Sequence, residues 1–491
     1  MTLAFNASAR RFPRIAWAWP DGGLHDLLTA AICPDDAVAL NAFGNWLSHT
    51  DLDDATFAEH RLLAAITSRF GERLADRPEY ARLCGLQRLN WTRSRLAVRA
   101  TMPVLQQMVE AGLRPVLLKG AARVALEPSE QKARTSYDVD LLLSDSDFNA
   151  AFEILAADGW QSTRGESAMG LRARISSVRA RNFKKGQFGD VDIHRRGYHD
   201  ANSNSICDRE VFEDLSGVDF YGVPLFVPGP EERLAMAIGH GCVDGHAHSD
   251  WLVDASRILL RETVDWEKFM FIVRSRKLGG QGAVAFSYLH HALGVPMPES
   301  VVERVCGRSG FASPSQVASV LLAKDSATLS KSQRVLRKII AEARKARYSG
   351  RDRSRDVPVF RAVTRRARGV VECAGREQLV ETTDALGPGR SKMDISISFE
   401  APRMRRRVEF ELTGSNRTVC HLQSYYPRVT DGRVTVRFRG VVQLHEDDLP
   451  LRVSAVAGKI LQSAAIEEER KYGPVKFVID RATFRAFRSP R

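Results

Sequence analysis

Asp138 and Asp140 are separated by one residue in a run that continues into Leu141, Leu142 and Leu143. On a strand this spacing sends both carboxylates out of one face while Val139 turns toward the core. Two adjacent acids at a strand end repel each other and are tolerated where a cation compensates them, either Arg134 just upstream or a magnesium ion. A third carboxylate comes from Gly189-Asp190-Val191-Asp192-Ile193-His194, where Asp190, Asp192 and His194 share a face. Asp138, Asp140 and Asp192 together make the kind of carboxylate set that holds divalent cations. Lys119-Gly120, at the end of the apolar run Pro115 to Leu118, adds a cation and a free backbone N–H where an anion can sit.

The elements that must position these groups are legible from periodicity. Val116-Leu117-Leu118 reads as a strand, and Ala121 to Leu126 opens a short helix directly after Gly120. Ser144 to Asp147 looks like a helix cap leading into Phe148 to Ala157, which ends at Asp158-Gly159. Residues Ala173 to His194 read as a hairpin turning at Lys184-Lys185-Gly186-Gln187. Upstream, Leu62, Leu63, Ile66 and Phe70 recur at helical intervals, as do Leu83, Leu86 and Leu89. Arg95 to Gly112 is a further helix carrying Pro103. This helical part is expected to pack rather than to catalyse. Pro228 to Leu260 suits two more helices, with Trp251, Leu252, Ala255, Ile258 and Leu259 on the buried side of the second.

The 491 residues exceed one ordinary domain, and 44% hydrophobic with 27% charged residues predicts packed globular units. The boundaries expected are a helical region at 1–112, a sheet-containing core at 113–227, a helical region at 228–345, a basic linker at 346–390 and a C-terminal domain at 391–491. In that last part Met393 to Phe399, Val408 to Leu412, Thr418 to Gln423 and Val434 to Leu444 alternate as strands. A helix is expected near Val453 to Tyr472 before a final strand, so the reading is a separate α+β domain. The net charge of +13 favours acidic partners without choosing among them. Seven scattered cysteines without a Cys-x-x-Cys pair point to reduced thiols. With no signal-peptide core and no transmembrane segment, a cytoplasmic location is expected.

The order Leu-Leu-Lys-Gly, then Arg-x-x-x-Asp-x-Asp-Leu-Leu, then Val-Asp-Ile-His, with helices on either side, resembles the uncharacterised nucleotidyltransferase family of the polymerase-beta-like superfamily, over about residues 62–260. The resemblance implies an α/β (α+β) mixed sheet flanked by helices. It also implies metal-binding catalytic carboxylates at Asp138, Asp140 and Asp192, and phosphate contacts at Lys119 and Gly120. Arg134 would orient a phosphate or the carboxylates, and Asp192 would help take the acceptor's proton, with His194, grouped with the nucleotide-binding residues, the weaker candidate for that step. The implied reaction is magnesium-dependent transfer of a nucleoside monophosphate from a triphosphate such as ATP to an acceptor hydroxyl on a small molecule, peptide or protein. Manganese is the alternative ion. Where that family commonly has Trp after the histidine, this chain has Arg195-Arg196.

Two other functions fit the same residues. One is a nucleotide-binding regulatory or scaffold protein without turnover, and the other is nucleotide addition to an RNA end. The second would use the basic stretch Lys331 to Arg368, although the scarcity of aromatic residues for base stacking favours a solvated helix and joint there. The run from His240 to His248 contains zinc-type ligands, but at a spacing that matches no strong zinc pattern.

Overall fold

The computed structural model describes residues 15–163, 168–172, 175, 178–198, 202, 207–244, 249–306, 321–324, 328–349, 359–363, 365–366, 377–380, 388–400, 407–415, 417–425, 433–456 and 477–486. The chain divides into two compact units, Met1–Ile154 with Lys185–Asp352, and Leu155–Lys184 with Arg353–Arg491.

In the first unit four helices precede the sheet: α1 (Gly22–Ile32), α2 (Asp36–His49), α3 (Phe57–Phe70) and α4 (Tyr80–Glu110). Helix α3 starts at a capping box in which Thr56 and Glu59 satisfy each other's backbone N–H groups. The segments read separately around Leu83 and after Arg95 form one helix, α4, which continues through Pro103. It ends before Gly112, whose φ of +79° is the left-handed conformation that releases the chain into the sheet.

The sheet is mixed and seven-stranded, as the resemblance implies, in the order β3-β4-β5-β2-β1-β7-β6. Its strands are β1 (Val116–Leu117), β2 (Val139–Leu142), β3 (Gln161–Ser162), β4 (Ala180–Lys185), β5 (Gly189–His194), β6 (Leu215–Phe220) and β7 (Val223–Pro228). Between these strands run α5 (Lys119–Leu126), α6 (Asp145–Ala157), α7 (Ala168–Arg172) and α8 (Cys207–Glu210). Strand β1 runs antiparallel to β2, with Val116 opposite Leu142 and Leu117 opposite Leu141. On its other side β2 runs parallel to β5, pairing Asp140 with Asp192 and Leu142 with His194. These two pairings alone bring Lys119, Asp140 and Asp192 together. The chain leaving β1 passes the start of β2, and Asp192 is the direct cross-strand neighbour of Asp140.

A helical layer follows: α9 (Pro230–Asp244), α10 (Asp250–Arg261), α11 (Trp266–Ser275), α12 (Gly279–Ser287) and α13 (Glu299–Cys306). Leu234, Leu252, Phe269 and Phe286 from these helices join Leu27, Phe43, Trp46, Leu63 and Ile66 from the first ones in a single buried core. The basic stretch begins as α14 (Lys331–Ser349), with Val335, Leu336 and Ile339 exposed. Residues 350–358 of that stretch lie outside the described residues.

The second unit is rich in strands. Its two C-terminal sheets hold β8 (Val359–Val363), β9 (Arg365–Arg366), β10 (Glu377–Leu379), β11 (Gly389–Glu400), β12 (Arg407–Thr413), β13 (Thr418–Tyr425), β14 (Arg433–Leu444), β15 (Arg452–Val456) and β16 (Phe477–Ala486). One sheet has the order β10-β15-β12-β13-β8 and the other β16-β11-β14-β9. Met393, Ile395, Ile397 and Phe399 alternate inward along β11. Phe410 of one sheet meets Phe399, Phe438 and Phe477 of the other at centroid distances of 5.6, 6.3 and 5.1 Å, so the two sheets share an aromatic core. Residues 453–456, expected to open a helix, are strand, because β15 pairs antiparallel with both β12 and β10. The rest of the expected helix, 457–476, lies outside the described residues.

Candidate active site

Lys119 is the first residue of α5, with a φ of +50°. A side chain with a Cβ takes that conformation at a cost of about 1 kcal/mol or more. The strain is offset by what the lysine reaches: its Nζ donates to Asp140 Oδ1 at 2.6 Å. The Leu118 N–H donates to the Asp140 carbonyl at 3.0 Å and fixes the turn against β2.

His194, two residues beyond Asp192 on β5, places its Nε2 3.0 Å from Asp140 Oδ1 and 3.0 Å from Asp192 Oδ2. One imidazole therefore bridges both carboxylates. Ligand atoms of Asp140, Asp192 and His194 lie within 4.8 Å of one another, a candidate site for a divalent cation. Carboxylates suit magnesium, and an imidazole among the donors shifts the preference toward manganese or zinc. Asp138 lies just ahead of β2, half-buried, with its backbone carbonyl accepting from Ser136 Oγ at 2.9 Å.

The charges of the group are strongly interdependent. Burial disfavours the Asp140 carboxylate, but Lys119 and His194 outweigh it and hold its pKa well below the usual value. Asp192 is held low against burial in the same way, chiefly by His194. Burial opposes protonated His194, yet Asp192 and Asp140 raise its pKa above the ordinary imidazole value. Asp138 goes the other way: burial, then repulsion from Asp140, pushes it up to about 6. Two carboxylates one residue apart thus differ in proton affinity, because Lys119 and His194 hydrogen-bond to Asp140.

Arg134 and Gly120 pack against each other beside the helical layer. Arg134 is buried, and its guanidinium bonds Asp254 Oδ1 from Nε at 3.0 Å and Asp254 Oδ2 from Nη2 at 3.0 Å. Its Nη1 lies 2.5 Å from Asp250 Oδ2. Both aspartates are on α10, so this arginine fastens the approach to β2 onto the helical layer. The two acids hold it charged against the penalty of burial. Gly120 lies under that guanidinium: a Cβ there would meet Arg134 Cζ at 3.1 Å and Nε at 3.2 Å. An alanine would gain about 1 kcal/mol of helix propensity, but overpacking a side chain that cannot retreat costs about 1–3 kcal/mol. With the larger β-branched side chain, Gly120→Val is expected to destabilise the first unit by about 2–3 kcal/mol. A denaturant midpoint equal to wild type would remove this packing role.

A cavity of about 520 Å³ is lined by Lys119, Asp138 and Asp140 on one side and by α10 residues on another; Asp192 and His194 are not among its lining residues. The residues that the sequence reading missed are on α10. Asp250, Asp254, Arg257 and Arg261 recur at intervals of three and four and line the cavity, while Trp251, Leu252, Ala255 and Ile258 are buried as expected. Arg61 of α3 lines it too, 2.9 Å from Asp250 Oδ2. Arg195 is structural: it bonds Asp145 Oδ1 and Asn149 Oδ1, both at 2.9 Å, and lies over the Phe148 ring. The side chains from His240 to His248 lie outside the described residues. Cys33, Cys84, Cys207 and Cys420 are free thiols. Among the described residues no helix is long and apolar enough to cross a membrane.

The mixed α/β sheet thus brings acids from adjacent parallel strands beside a lysine at a strand-to-helix turn, with Asp140, Asp192 and His194 as a candidate metal group. Residues 55–294 match the family model described as uncharacterised nucleotidyltransferase. No curated protein and no solved structure matches the chain.

Proposed function

We propose that the protein transfers a nucleoside monophosphate from a nucleoside triphosphate to an acceptor hydroxyl, with Asp138, Asp140 and Asp192 as the metal-holding carboxylates. The observation that carries this reading is the register pair Asp140–Asp192, set beside Lys119 at the cavity and bridged by His194. The family match supports the reaction class. Magnesium, or manganese in its place, would supply Lewis-acid activation and neutralise charge on the phosphates.

The chain's own residues have separable tasks. Lys119 and the N-terminus of α5 attract the phosphates and orient them toward the acid pair. Lys119 also keeps the Asp140 carboxylate ionised, ready to accept a cation. Asp192, the less buried member of the pair at 22% side-chain exposure against 5% for Asp140, would take the acceptor proton. His194 holds its Nε2 3.0 Å from both carboxylates and would share that single N–H between them, so its role is positioning. The α10 side of the cavity bounds the space left for nucleotide and acceptor.

The test is pyrophosphate release from a panel of nucleoside triphosphates in the presence of hydroxyl-bearing small molecules, peptides and proteins. Release is expected with magnesium or manganese and is expected to stop when EDTA removes the ion. Triphosphate binding without release under every acceptor condition would instead establish a nucleotide-binding regulatory protein.

A further inference from the structure

The α10 side of the cavity holds more positive charge than the chain's own acids neutralise. Five arginines, Arg61, Arg123, Arg134, Arg257 and Arg261, share four carboxylates, Glu127, Glu130, Asp250 and Asp254. The surplus can be traced to one residue. Arg61 and Arg134 take Asp250; Arg134 and Arg123 take Asp254; Arg123 also pairs with Glu130, and Arg261 with Glu127. Arg257 is left with Glu130 Oε1 at 3.8 Å, too far for a hydrogen bond, and Arg261 approaches that same oxygen at 3.3 Å. That distant contact is its one ion pair among the described residues. Its side chain is 22% exposed and lines the cavity.

We infer that Arg257, flanked by Arg123 and Arg261, is the centre of a subsite in this cavity for a phosphate or similarly charged anionic group of a substrate. A guanidinium carries five donors in a planar fork and cannot escape its charge by losing a proton. Leaving it largely buried without a hydrogen-bonded counter-ion is costly, and an anion entering the cavity removes that cost. Burial and the neighbouring Arg123 and Arg261 hold Arg257 below its ordinary pKa despite Glu130, as expected of a cation short of counter-charge. The subsite also shares its cavity with Lys119 and Asp140. Arg123 is one turn beyond Lys119 on α5, about 6 Å along the helix axis, and Glu130 links Arg123 to Arg257.

The inference rests on the transfer reading for the word substrate, but its test does not need turnover. The full-length protein, Arg257→Gln and Arg257→Lys are titrated calorimetrically with inorganic tripolyphosphate and with orthophosphate. The wild type is expected to bind tripolyphosphate, the glutamine variant to bind it about tenfold more weakly or worse, and the lysine variant to fall between. The lysine variant also guards against misfolding, since it keeps the charge. Absent binding to the wild type, or equal binding to wild type and Arg257→Gln, overturns the subsite and leaves the transfer reading intact. Absent pyrophosphate release with Arg257-dependent binding overturns the transfer reading alone. Repeating the titration with saturating magnesium and a non-hydrolysable triphosphate separates the sources of the anion. Orthophosphate binding that disappears assigns the subsite to the donor's phosphates, and binding that persists assigns it to an anionic acceptor.

Discussion

Asp192→Asn is expected to lower metal-dependent pyrophosphate release by at least about a thousandfold, a loss of some 4 kcal/mol of transition-state stabilisation. The amide keeps the size and the hydrogen-bonding shape of the side chain but removes the negative charge that a divalent cation needs. The same change should leave the denaturant midpoint close to wild type. Asp192 is the more exposed member of the pair, and Asp140 remains to compensate Lys119 and His194. Asp140 is a poorer choice for the experiment, because its removal strands Lys119 and His194, which both point at it. Activity within a fewfold of wild type in purified Asp192→Asn would exclude Asp192 as both ligand and base. A fall in activity matched by an equal fall in stability would point to a structural role instead.

Arg134→Met is expected to act on the fold and not on the chemistry directly. The substitution leaves Asp254 with Arg123 alone and Asp250 with Arg61 alone, and breaking a buried ion pair from one side costs about 3–5 kcal/mol. Such a loss is a large part of the roughly 5–15 kcal/mol by which a domain is stable. Because the chain has two units, one global midpoint is ambiguous, so hydrogen exchange in α10 and α5 is the measurement to use. Protection there is expected to fall while the β11–β14 strands keep theirs. Unchanged exchange in α10 would exclude Arg134 as its fastening. The pH dependence has a definite sign. Arg134 and Arg123 hold the Asp254 pKa below its ordinary value against burial, so its stabilisation is complete above the ordinary carboxylate pKa near 4 and is lost as pH falls below it.

Much of the candidate site could be read locally. The spacing of Asp138 and Asp140 predicts one shared strand face, with Asp140 found on β2 and Asp138 just ahead of it, and the same two-residue period groups Asp192 with His194 on β5. The strand, glycine and helix sequence around Lys119 was equally legible. Strands β11 to β14 fell where apolar and polar residues alternate. Residues 453–456 did not, because a short apolar stretch is ambiguous between helix and strand until it has neighbours, and β15 has one on each side. The role of Gly120 was also hidden. A glycine after a strand suggests backbone approach to an anion, but nothing in that spacing shows that Arg134, fourteen residues onward in the sequence, packs over it.

The sequence by itself determined which residues could carry the chemistry and on which kind of element each one sits. Only the tertiary structure decided who meets whom. The antiparallel β1–β2 and parallel β2–β5 pairings turn three separate segments into one group, and pairing partners are non-local, set by the whole sheet. The same holds for α10. Its charged stripe Asp250, Asp254, Arg257 and Arg261 looks from the sequence like a solvated helix face. Packing against α5 and the approach to β2 turns it inward, where three of the four charges find close partners and Arg257 is left with Glu130 at 3.8 Å.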